Sequence, residues 1–383
     1  MKKRVSVIIT NRANFARMKS LLLEIKKSKK LSLQLILSGS ALSHRFGQLE
    51  RELKKNRLSP LARSYFLIDG SDPIAQAKST SLAISELATI FYKMRPDLAI
   101  TVGDRYETIA TAIASTYSNI PLAHLQGGEV SGNLDEMVRH SITKLASYHF
   151  TTTKNSRQRV IRMGEEKNRV YFSGCPGMDL LKFCKKKIQK NFFNKISYTG
   201  TKFLFDKKYL LVINHPVSTD NKNNNLRNIN ILLKTLAKIN MHKIMFWPNA
   251  DAYSDVISST MRTFKEKYEK NDFTFVVNAS PEDYATLLYN ASCLIGNSSS
   301  FIREGSQLGK PALILGERQT NREVGSNVIK CNYETNQIIK KIQHQVKQKK
   351  YKQQNLYGNG NAAKLIVKIL EKINPTIKKQ ITY

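Results

Sequence analysis

Short apolar segments alternate with stretches of helical periodicity along almost the whole chain. The apolar segments are rich in Val, Ile and Leu, and we predict them as strands at residues 5–10, 33–38, 98–102, 122–125, 149–152, 170–173, 210–214, 243–246, 273–277, 293–295, 312–315 and 328–331. Helical periods fall between most of them, for example at residues 15–27, 84–94, 106–117, 229–238 and 284–289. Because buried strands that alternate with helices form parallel sheets covered on both faces, this pattern predicts an α/β fold with doubly wound sheets.

The chain is long enough for two domains. At 383 residues it exceeds one ordinary core, and its 41% hydrophobic content is sufficient to build two. The alternation stops in the lysine-rich residues 181–208, which predicts an interdomain linker. We expect a first Rossmann-like domain at residues 1–185 and a second at residues 205–355, with their ligand-binding strand ends at a central cleft. A C-terminal helix at about residues 360–378 is expected to pack back on the first domain, and the final KKQITY to fray.

Several classes of protein are disfavoured. No apolar run approaches the ~20 residues of a membrane span, and the N-terminal MKKRVSVIIT lacks a signal-peptide pattern. Cys175, Cys184, Cys293 and Cys331 are scattered without metal-ligand spacing, so we expect reduced thiols, no metal site and a cytoplasmic location.

The net charge of +33 admits two interpretations. Phosphate contacts with nucleic acid would need such a charge, but the lysines are dispersed and no nucleic-acid-binding motif accompanies them. We therefore favour a basic surface that reflects composition and expect no nucleic-acid partner. Its field would still attract a phosphorylated substrate.

The densest set of ionisable residues lies in HLQGGEVSGNLDEMVRHSITKLASYH, residues 124–149. Glu129, Asp135, Glu136, Arg139 and His140 follow a Gly-Gly turn. In a helix, Asp135 and Arg139 share a face, as do Glu136 and His140. Burying so many charges is costly unless they are paired, so the segment is predicted to be a functional site.

A complementary motif, CLIGNSSSFIRE, occurs in the second half at residues 293–304. A strand leads into Ser298 and Ser299 at a helix N-terminus, where N–H groups, hydroxyls and the helix dipole favour an anion. Serine capping is the alternative, but three consecutive serines exceed what a cap requires. Glu304 could bind sugar hydroxyls, and Arg318 after the next strand offers a second phosphate-directed cation.

Other strand ends carry polar residues that either bind ligand or act structurally. Arg12 could clamp a phosphate, and Asp104, beside Arg105, could instead cap a helix. His215 ends one strand, and Asn249 and Asp251 end the next. No Walker P-loop, GxGxxG, HExxH or GxSxG motif is present, so a nucleotide-diphosphate sugar fits the remaining features best.

At these residues the chain resembles the hydrolysing UDP-N-acetylglucosamine 2-epimerases, which supply N-acetylmannosamine for sialic acid and related sugars and so for polysaccharide biosynthesis. The resemblance runs in order through NRANF, GDRYE, GGEVSGNLDEMVRHSITKL, GCPGMD, NHPVSTD, PNADAYSD, GNSSSFIREG and GERQTNREVG. It implies the GT-B fold, a UDP-sugar substrate, no cofactor, and elimination of UDP followed by addition of water. Non-hydrolysing epimerases, other GT-B enzymes and, more remotely, nucleic-acid-binding proteins are the alternatives.

The resemblance also implies roles for individual residues. Those implied in catalysis are Asp104, Asp135, Glu136, Arg139 and His215. Those implied in substrate binding are Arg12, Arg105, Gln126, Glu129, Asn249, Asp251, Ser298, Ser299, Glu304 and Arg318. A homo-oligomer, either a dimer or a tetramer, is also expected.

Three positions depart from the family pattern. Gln126 stands where some members carry an acid. Because an amide is not a base, either Asp135, Glu129 or another carboxylate acts instead, or the reaction differs. Ala41 replaces a family histidine, with His44 three residues on, and Phe301 replaces a helix-start glycine, which is expected to narrow the approach to the ligand.

Overall fold

The computed structural model describes residues 1–43, 49–70, 72–132, 134–248, 251–267 and 272–382. The chain divides into two compact units. Unit 1 comprises Met1–Val130, Leu134–Leu180 and Tyr357–Tyr383, and unit 2 comprises Ser131–Asn133 and Leu181–Leu356.

Each unit contains one sheet. The strands of the described residues are β1 (Lys3–Ile9), β2 (Leu31–Ser38), β3 (Ala62–Ser64), β4 (Leu98–Val102), β5 (Leu122–Leu125), β6 (Tyr148–Thr151), β7 (Val170–Phe172), β8 (Tyr198–Gly200), β9 (Tyr209–Ile213), β10 (His242–Phe246), β11 (Phe273–Val276), β12 (Cys293–Gly296), β13 (Ala312–Leu315) and β14 (Val328–Cys331). In unit 1 they form a parallel sheet of order β3-β2-β1-β4-β5-β6-β7. In unit 2 the order is β14-β13-β12-β9-β10-β11-β8, with only β8 antiparallel among the described strands. Both orders reverse direction beside the first long strand of the unit, which is the doubly wound arrangement.

Helices connect these strands. Those of the described residues are α1 (Arg12–Lys27), α2 (Leu49–Lys55), α3 (Pro73–Met94), α4 (Tyr106–Tyr117), α5 (Leu134–Leu145), α6 (Lys154–Arg162), α7 (Lys222–Ala237), α8 (Ser254–Lys267), α9 (Pro281–Asn290), α10 (Ser299–Leu308), α11 (Thr335–Gln348) and α12 (Ala362–Lys372). Polar side chains cap several of them: the side chain of Asn11 accepts a hydrogen bond from the Asn14 N–H at the start of α1. Asp72 does the same for Ala75 in α3, where Pro73 is preset for a first helical position. None of the described helices combines the length and apolar character of a membrane span.

The larger core cluster of unit 1 lies between its sheet and the pair α1 and α12, and a second cluster includes residues of α3, α4 and α5. Met18 and Leu22 of α1 are buried against Val7 of β1, and Ile366 and Leu370 of α12 join the same cluster. The backbone N–H groups of Ala362 and Ala363 donate to the carboxylate of Asp179, which fixes the start of α12 within unit 1. Unit 2 has its own core, in which Leu233 and Met261 pack against strands β9 and β11.

Three sequence-based expectations differ from the structure. Strands β3 and β8 were not predicted, because neither contains an apolar run. Most of the expected linker at residues 181–208 is packed structure of unit 2: β8 pairs with β11, and Phe193, Phe203 and Phe205 form an aromatic cluster with Tyr209. Aromatic side chains spaced irregularly along the chain give no periodic signal, so the segment resembled a linker.

The C-terminal tail is the third difference, because residues predicted to fray are held against unit 1. Lys379 donates to Glu165, Gln380 N–H to Glu166, and Thr382 N–H to the carbonyl of Gly164. Its partners are more than 200 residues away in the sequence, so no local pattern announces them.

Candidate active site

The predicted site residues follow strands on both sides of the reversal of strand order in each unit. Ligands bind at the carboxyl ends of strands beside such reversals. In unit 1 these residues follow β1, β4 and β5, and they are Arg12, Asp104, Arg105, Gln126 and Glu129. In unit 2 they follow β9, β12 and β13, and they are His215, Ser298, Ser299, Glu304 and Arg318.

Arg139 of α5 is the centre of an ionic network in unit 1. Its side chain is only 1% exposed. Its Nε donates to Oδ2 of Asp104 at 3.0 Å, its Nη2 donates to the same oxygen, and its Nη1 donates to the Glu129 carbonyl at 2.6 Å. Burial alone would lower the pKa of Arg139, but the carboxylates of Asp104, Glu129 and Asp135 raise it above its usual value. The guanidinium therefore stays charged and joins the turn after β4 to α5.

The alternative in which Asp104 merely caps α4 does not describe this structure. The N-cap residue is Arg105, without a side-chain capping bond, and Asp104 is engaged by Arg139 instead. Arg105 binds both carboxylate oxygens of fully buried Glu107, at 3.0 and 3.2 Å, and its guanidinium lies 5.6 Å from the Tyr106 ring centroid. Such a fork-like pair fixes the direction of the Arg105 side chain.

The remaining acidic residues of the segment surround this network. Oε1 of buried Glu129 accepts a hydrogen bond from the Thr152 hydroxyl at 2.6 Å. Asp135 lies half-buried in the first turn of α5, where the helix dipole favours an anion. Glu136, in the same turn, and His140 approach to 3.6 Å, as their four-residue spacing predicts.

Gln126 lies at the end of β5 with a positive φ of 70° and is almost completely buried. Its Nε2 donates to the sulfur of Cys175 at 3.2 Å, and its Oε1 accepts from Arg17 at 3.4 Å. An amide in this position supplies both a donor and an acceptor, which a carboxylate would not. Gln126 is thus part of a polar contact among α1, the end of β5 and the segment after β7.

Arg12 is the first residue of α1 and is largely withdrawn from solvent. Burial lowers the pKa of its guanidinium to about 10. A desolvated guanidinium gains more from a phosphate partner than an exposed one does, because water competes less for its donors.

In unit 2, Asn297 binds the backbone of His215 on the neighbouring strand end. Its Oδ1 accepts from the His215 N–H at 2.8 Å, and its Nδ2 donates to the His215 carbonyl at 2.7 Å. Directly before it, Gly296 has φ 133°, and a Cβ there would lie 1.9 Å from the carbonyl oxygen of Ile213. Only glycine therefore lets β12 end against β9 in this way.

The serine motif begins α10 as predicted. Ser298 is the N-cap residue, and its hydroxyl lies 3.1 Å from that of Ser300. The Ser299 hydroxyl accepts from Nη2 of buried Arg303 at 2.9 Å. The helix end thus combines the positive end of the dipole with hydroxyls and a guanidinium, a combination suited to an anion.

Other predicted residues occupy the same end of unit 2. Nη1 of Arg318 lies 3.4 Å from the carbonyl of Asn297. Glu304 is near Tyr284: burial and the charge of Glu304 both raise the pKa of this phenol. The carbonyl of Asp251 accepts from Ser254 at the start of α8, at 3.0 Å.

The structure describes all three positions that depart from the family pattern, which are Gln126, Phe301 and Ala41. Phe301 is fully buried in the first turn of α10, and its expected effect on the approach to the ligand stays a prediction. Ala41 is buried after β2 and donates its N–H to Thr10. Asn249 and His44 lie outside the described residues. Within the described ranges, no group of three or more His, Cys, Asp and Glu side chains is arranged to hold a metal ion.

Several residues near the predicted ones were not assigned from the sequence. Glu107 and Asn297 lie inside GDRYE and GNSSS, so their motifs were a signal. Tyr284 and Arg17 lie outside every motif, and only the fold brings them to Ser300 and Gln126.

A sequence model of the UDP-N-acetylglucosamine 2-epimerase family matches residues 23–371. The chain belongs to this family. A relative named UDP-N,N'-diacetylbacillosamine 2-epimerase (hydrolyzing), from Legionella pneumophila, is 29% identical over 97% of this chain and 97% of its own length. A Campylobacter jejuni relative named GDP/UDP-N,N'-diacetylbacillosamine 2-epimerase (hydrolyzing) is 32% identical over 86% of this chain and 84% of its own.

A solved structure of similar fold is the Neisseria meningitidis UDP-GlcNAc 2-epimerase bound to UDP-GlcNAc. It superimposes with a TM-score of 0.77 at 19% identity, covering 97% of this chain and 100% of that one. The predicted GT-B class, with two Rossmann-like units, is confirmed. The predicted enzyme class, a hydrolysing 2-epimerase of a UDP-linked sugar, is confirmed by the family and these relatives.

Proposed function

We propose that the substrate is a UDP-linked amino sugar with two N-acetyl groups, of the N,N'-diacetylbacillosamine type, and that the products are UDP and the free 2-epimer. The relatives from Legionella and Campylobacter, both named for that sugar, support this choice over UDP-N-acetylglucosamine. A relative named polysialic acid biosynthesis protein, 28% identical over 89% of this chain, is consistent with a role in making a surface glycan.

The observation that carries the reaction is the buried Arg139 with its carboxylates. In the proposed reaction, a carboxylate takes the C2 proton while the C1–O bond to UDP breaks, so that a C1–C2 double bond forms. Water then adds its oxygen to C1, and C2 receives a proton on the opposite face. Elimination requires a positioned base, and a cation held at a fixed place lowers the cost of developing negative charge.

Residue roles follow the family motifs and are part of this proposal. Asp104, Asp135, Glu136, Arg139 and His215 carry the chemistry. The residues proposed to bind substrate are Arg12, Arg105, Gln126, Glu129, Asn249, Asp251, Ser298, Ser299, Glu304 and Arg318. Asp135 is our choice for the base, because it lies in the first turn of α5, close enough to Arg139 for the two charges to interact.

We also propose a cytoplasmic location and a homo-oligomer. Cys175, Cys184, Cys293 and Cys331 are not joined in disulfides, which suits a reducing compartment that also supplies UDP-sugars. Light scattering of the purified chain distinguishes a dimer or tetramer from a monomer.

The purified chain should be incubated in D₂O with UDP-N,N'-diacetylbacillosamine, its GDP-linked counterpart and UDP-N-acetylglucosamine. We expect released UDP and a free sugar that is inverted and deuterated at C2, with the highest kcat/KM for the UDP-linked diacetylated sugar. A higher kcat/KM for UDP-N-acetylglucosamine would reject the proposed sugar. Epimerised product that retains UDP would instead support the non-hydrolysing alternative.

A further inference from the structure

His124 is a fully buried histidine at the start of the densest charged segment, directly before the Gly-Gly turn region. It lies in β5, in register with Thr101 of β4 on one side and His149 of β6 on the other. Its Nε2 lies 2.8 Å from the carbonyl oxygen of Gly103, and its Nδ1 lies 3.2 Å from the hydroxyl of Thr143.

The two residues that contact His124, Gly103 and Thr143, lie close in the chain to the members of the Asp104–Arg139 ion pair. Gly103 immediately precedes Asp104, and its N–H is held by the Leu125 carbonyl at 3.0 Å. Thr143 lies one helical turn after Arg139, and its hydroxyl is also 3.0 Å from the Arg139 carbonyl. One imidazole therefore spans the β4 turn that carries the carboxylate and the helix that carries the guanidinium.

The hydrogen-bonding partners determine the tautomer. A carbonyl oxygen only accepts, so Nε2 of His124 must carry the proton toward Gly103. Burial lowers the pKa of His124 to about 3, so the ring is neutral near pH 7 and Nδ1 is an acceptor. The Thr143 hydroxyl has one proton, which Nδ1 at 3.2 Å shares with the Arg139 carbonyl at 3.0 Å. The imidazole thus acts as a fixed donor and acceptor, not as a charge.

The backbone of Gly127 packs tightly against the contact between His124 and Thr143. A Cβ on Gly127 would lie 3.0 Å from Nδ1 of His124 and 3.0 Å from the Thr143 hydroxyl. The first glycine of the Gly-Gly turn is therefore packed directly over the bond between β5 and α5.

We propose that His124 is a positioning residue for the epimerase reaction: it sets the spacing between the Asp104 turn and α5, and so the geometry of Asp104 and Arg139. The inference rests on the proposed roles of those two residues. It differs from a general stabilising role, because the bonds of His124 end on the backbone beside Asp104 and on the turn after Arg139. A misplacement of about 1 Å in a catalytic group is enough to cost on the order of a hundredfold in rate.

The test compares His124→Gln, Thr143→Val and the double variant with His149→Gln. The side-chain amide of Gln places a donor near the position of the His124 Nε2. His124→Gln is therefore expected to retain the contact with the Gly103 carbonyl and to lose the contact with the Thr143 hydroxyl of α5. Thr143→Val removes only the hydroxyl and is the milder variant if His124→Gln folds poorly. His149 is equally buried and in register with His124, but it bonds Glu165 instead, so it serves as the matched control.

We expect each of His124→Gln and Thr143→Val to lower kcat about tenfold or more with KM changed less than threefold, measured well below the melting temperature. Because both cut the same link, the double variant should lose no more kcat than the single ones. The His149→Gln enzyme should melt earlier but keep its kcat. Unchanged kcat in Thr143→Val, multiplied losses in the double variant, or an equal kcat loss in His149→Gln would overturn the proposal. Absence of turnover in the unaltered protein would instead reject the proposed function.

Discussion

A buried guanidinium can hold several carboxylates only where the fold brings them to it. Arg139 donates to Asp104, which lies 35 positions away, and to the carbonyl of Glu129, 10 positions away. Asp135, four residues before it, contributes through its charge. The three acidic residues therefore have different environments, and only their variants can distinguish the base.

Asp135→Asn should lower turnover by more than a hundredfold, because an amide cannot take the C2 proton. Release of UDP from the preferred substrate measures this, with circular dichroism to confirm the fold. Asp97→Asn is the control, since Asp97 is an exposed partner of Arg4 in the same unit and should leave turnover unchanged. Equal activity of the two variants would exclude Asp135 as the base.

At the scale of elements, the close approach of β12 to β9 depends on one missing methyl group. Gly296→Ala would place Cβ 1.9 Å from the Ile213 carbonyl oxygen at a φ that alanine disfavours. We expect a loss of about 3 kcal/mol or more in the free energy of unfolding, because backbone must move. Urea denaturation measures it.

Gly305→Ala in α10 is the matched control for that prediction. Its Cβ would meet only side-chain ends, Cδ1 of Leu294 at 3.1 Å and Nδ2 of Asn327 at 3.4 Å, and alanine favours the helix. It should therefore change stability much less than Gly296→Ala. Similar losses in both variants would mean that the β12 approach is not the cause.

One of the contacts that hold the C-terminal tail to unit 1 is made by the buried carboxylate of Glu165. Burial alone would raise the pKa of Glu165, but hydrogen bonds from His149, Lys144 and Lys379 lower it to about 2, from a usual value of 4.5. Because the folded pKa is the lower one, this stabilisation is complete above about pH 4.5 and is lost as the pH falls toward 2.

Glu165→Gln should therefore lower the free energy of unfolding by about 2–3 kcal/mol at pH 7. Its deficit relative to the unaltered protein should shrink between pH 4.5 and 2, as measured by denaturant unfolding at several pH values. Glu50→Gln, at an exposed pair with Arg63, should show neither effect. A deficit that stays constant down to pH 2 would contradict the proposed ionic role.

At the scale of the whole molecule, the net charge of +33 should act on the encounter with substrate. A UDP-sugar is anionic, so kcat/KM is expected to fall by about tenfold as salt screens the field, while kcat at saturation changes little. Initial rates over a range of ionic strength measure both quantities. A kcat/KM that does not depend on salt would show that the charge does not steer the substrate.

Local patterns were sufficient for much of the fold. Each predicted strand is present, with ends within two residues of the prediction. This works because burial imposes a period on each element by itself. The sequence patterns did not predict strand β8 or the aromatic cluster of Phe193, Phe203, Phe205 and Tyr209. The pairing of β8 depends on β11, and the cluster depends on contacts among residues that are separated in the sequence.

The sequence by itself determined the alternation of strands and helices, the acidic segment after a Gly-Gly turn and the serines at a helix start, because each of these is a pattern among near neighbours. Only the tertiary structure decided that Arg139 pairs with Asp104, that His124 contacts Gly103 and Thr143, and that Lys379 reaches Glu165. The adjacency of β4, β5 and β6 sets the first two contacts, and the path of the chain after α12 sets the third. Strand order and the path of the chain are properties of the whole unit, and no single segment determines them.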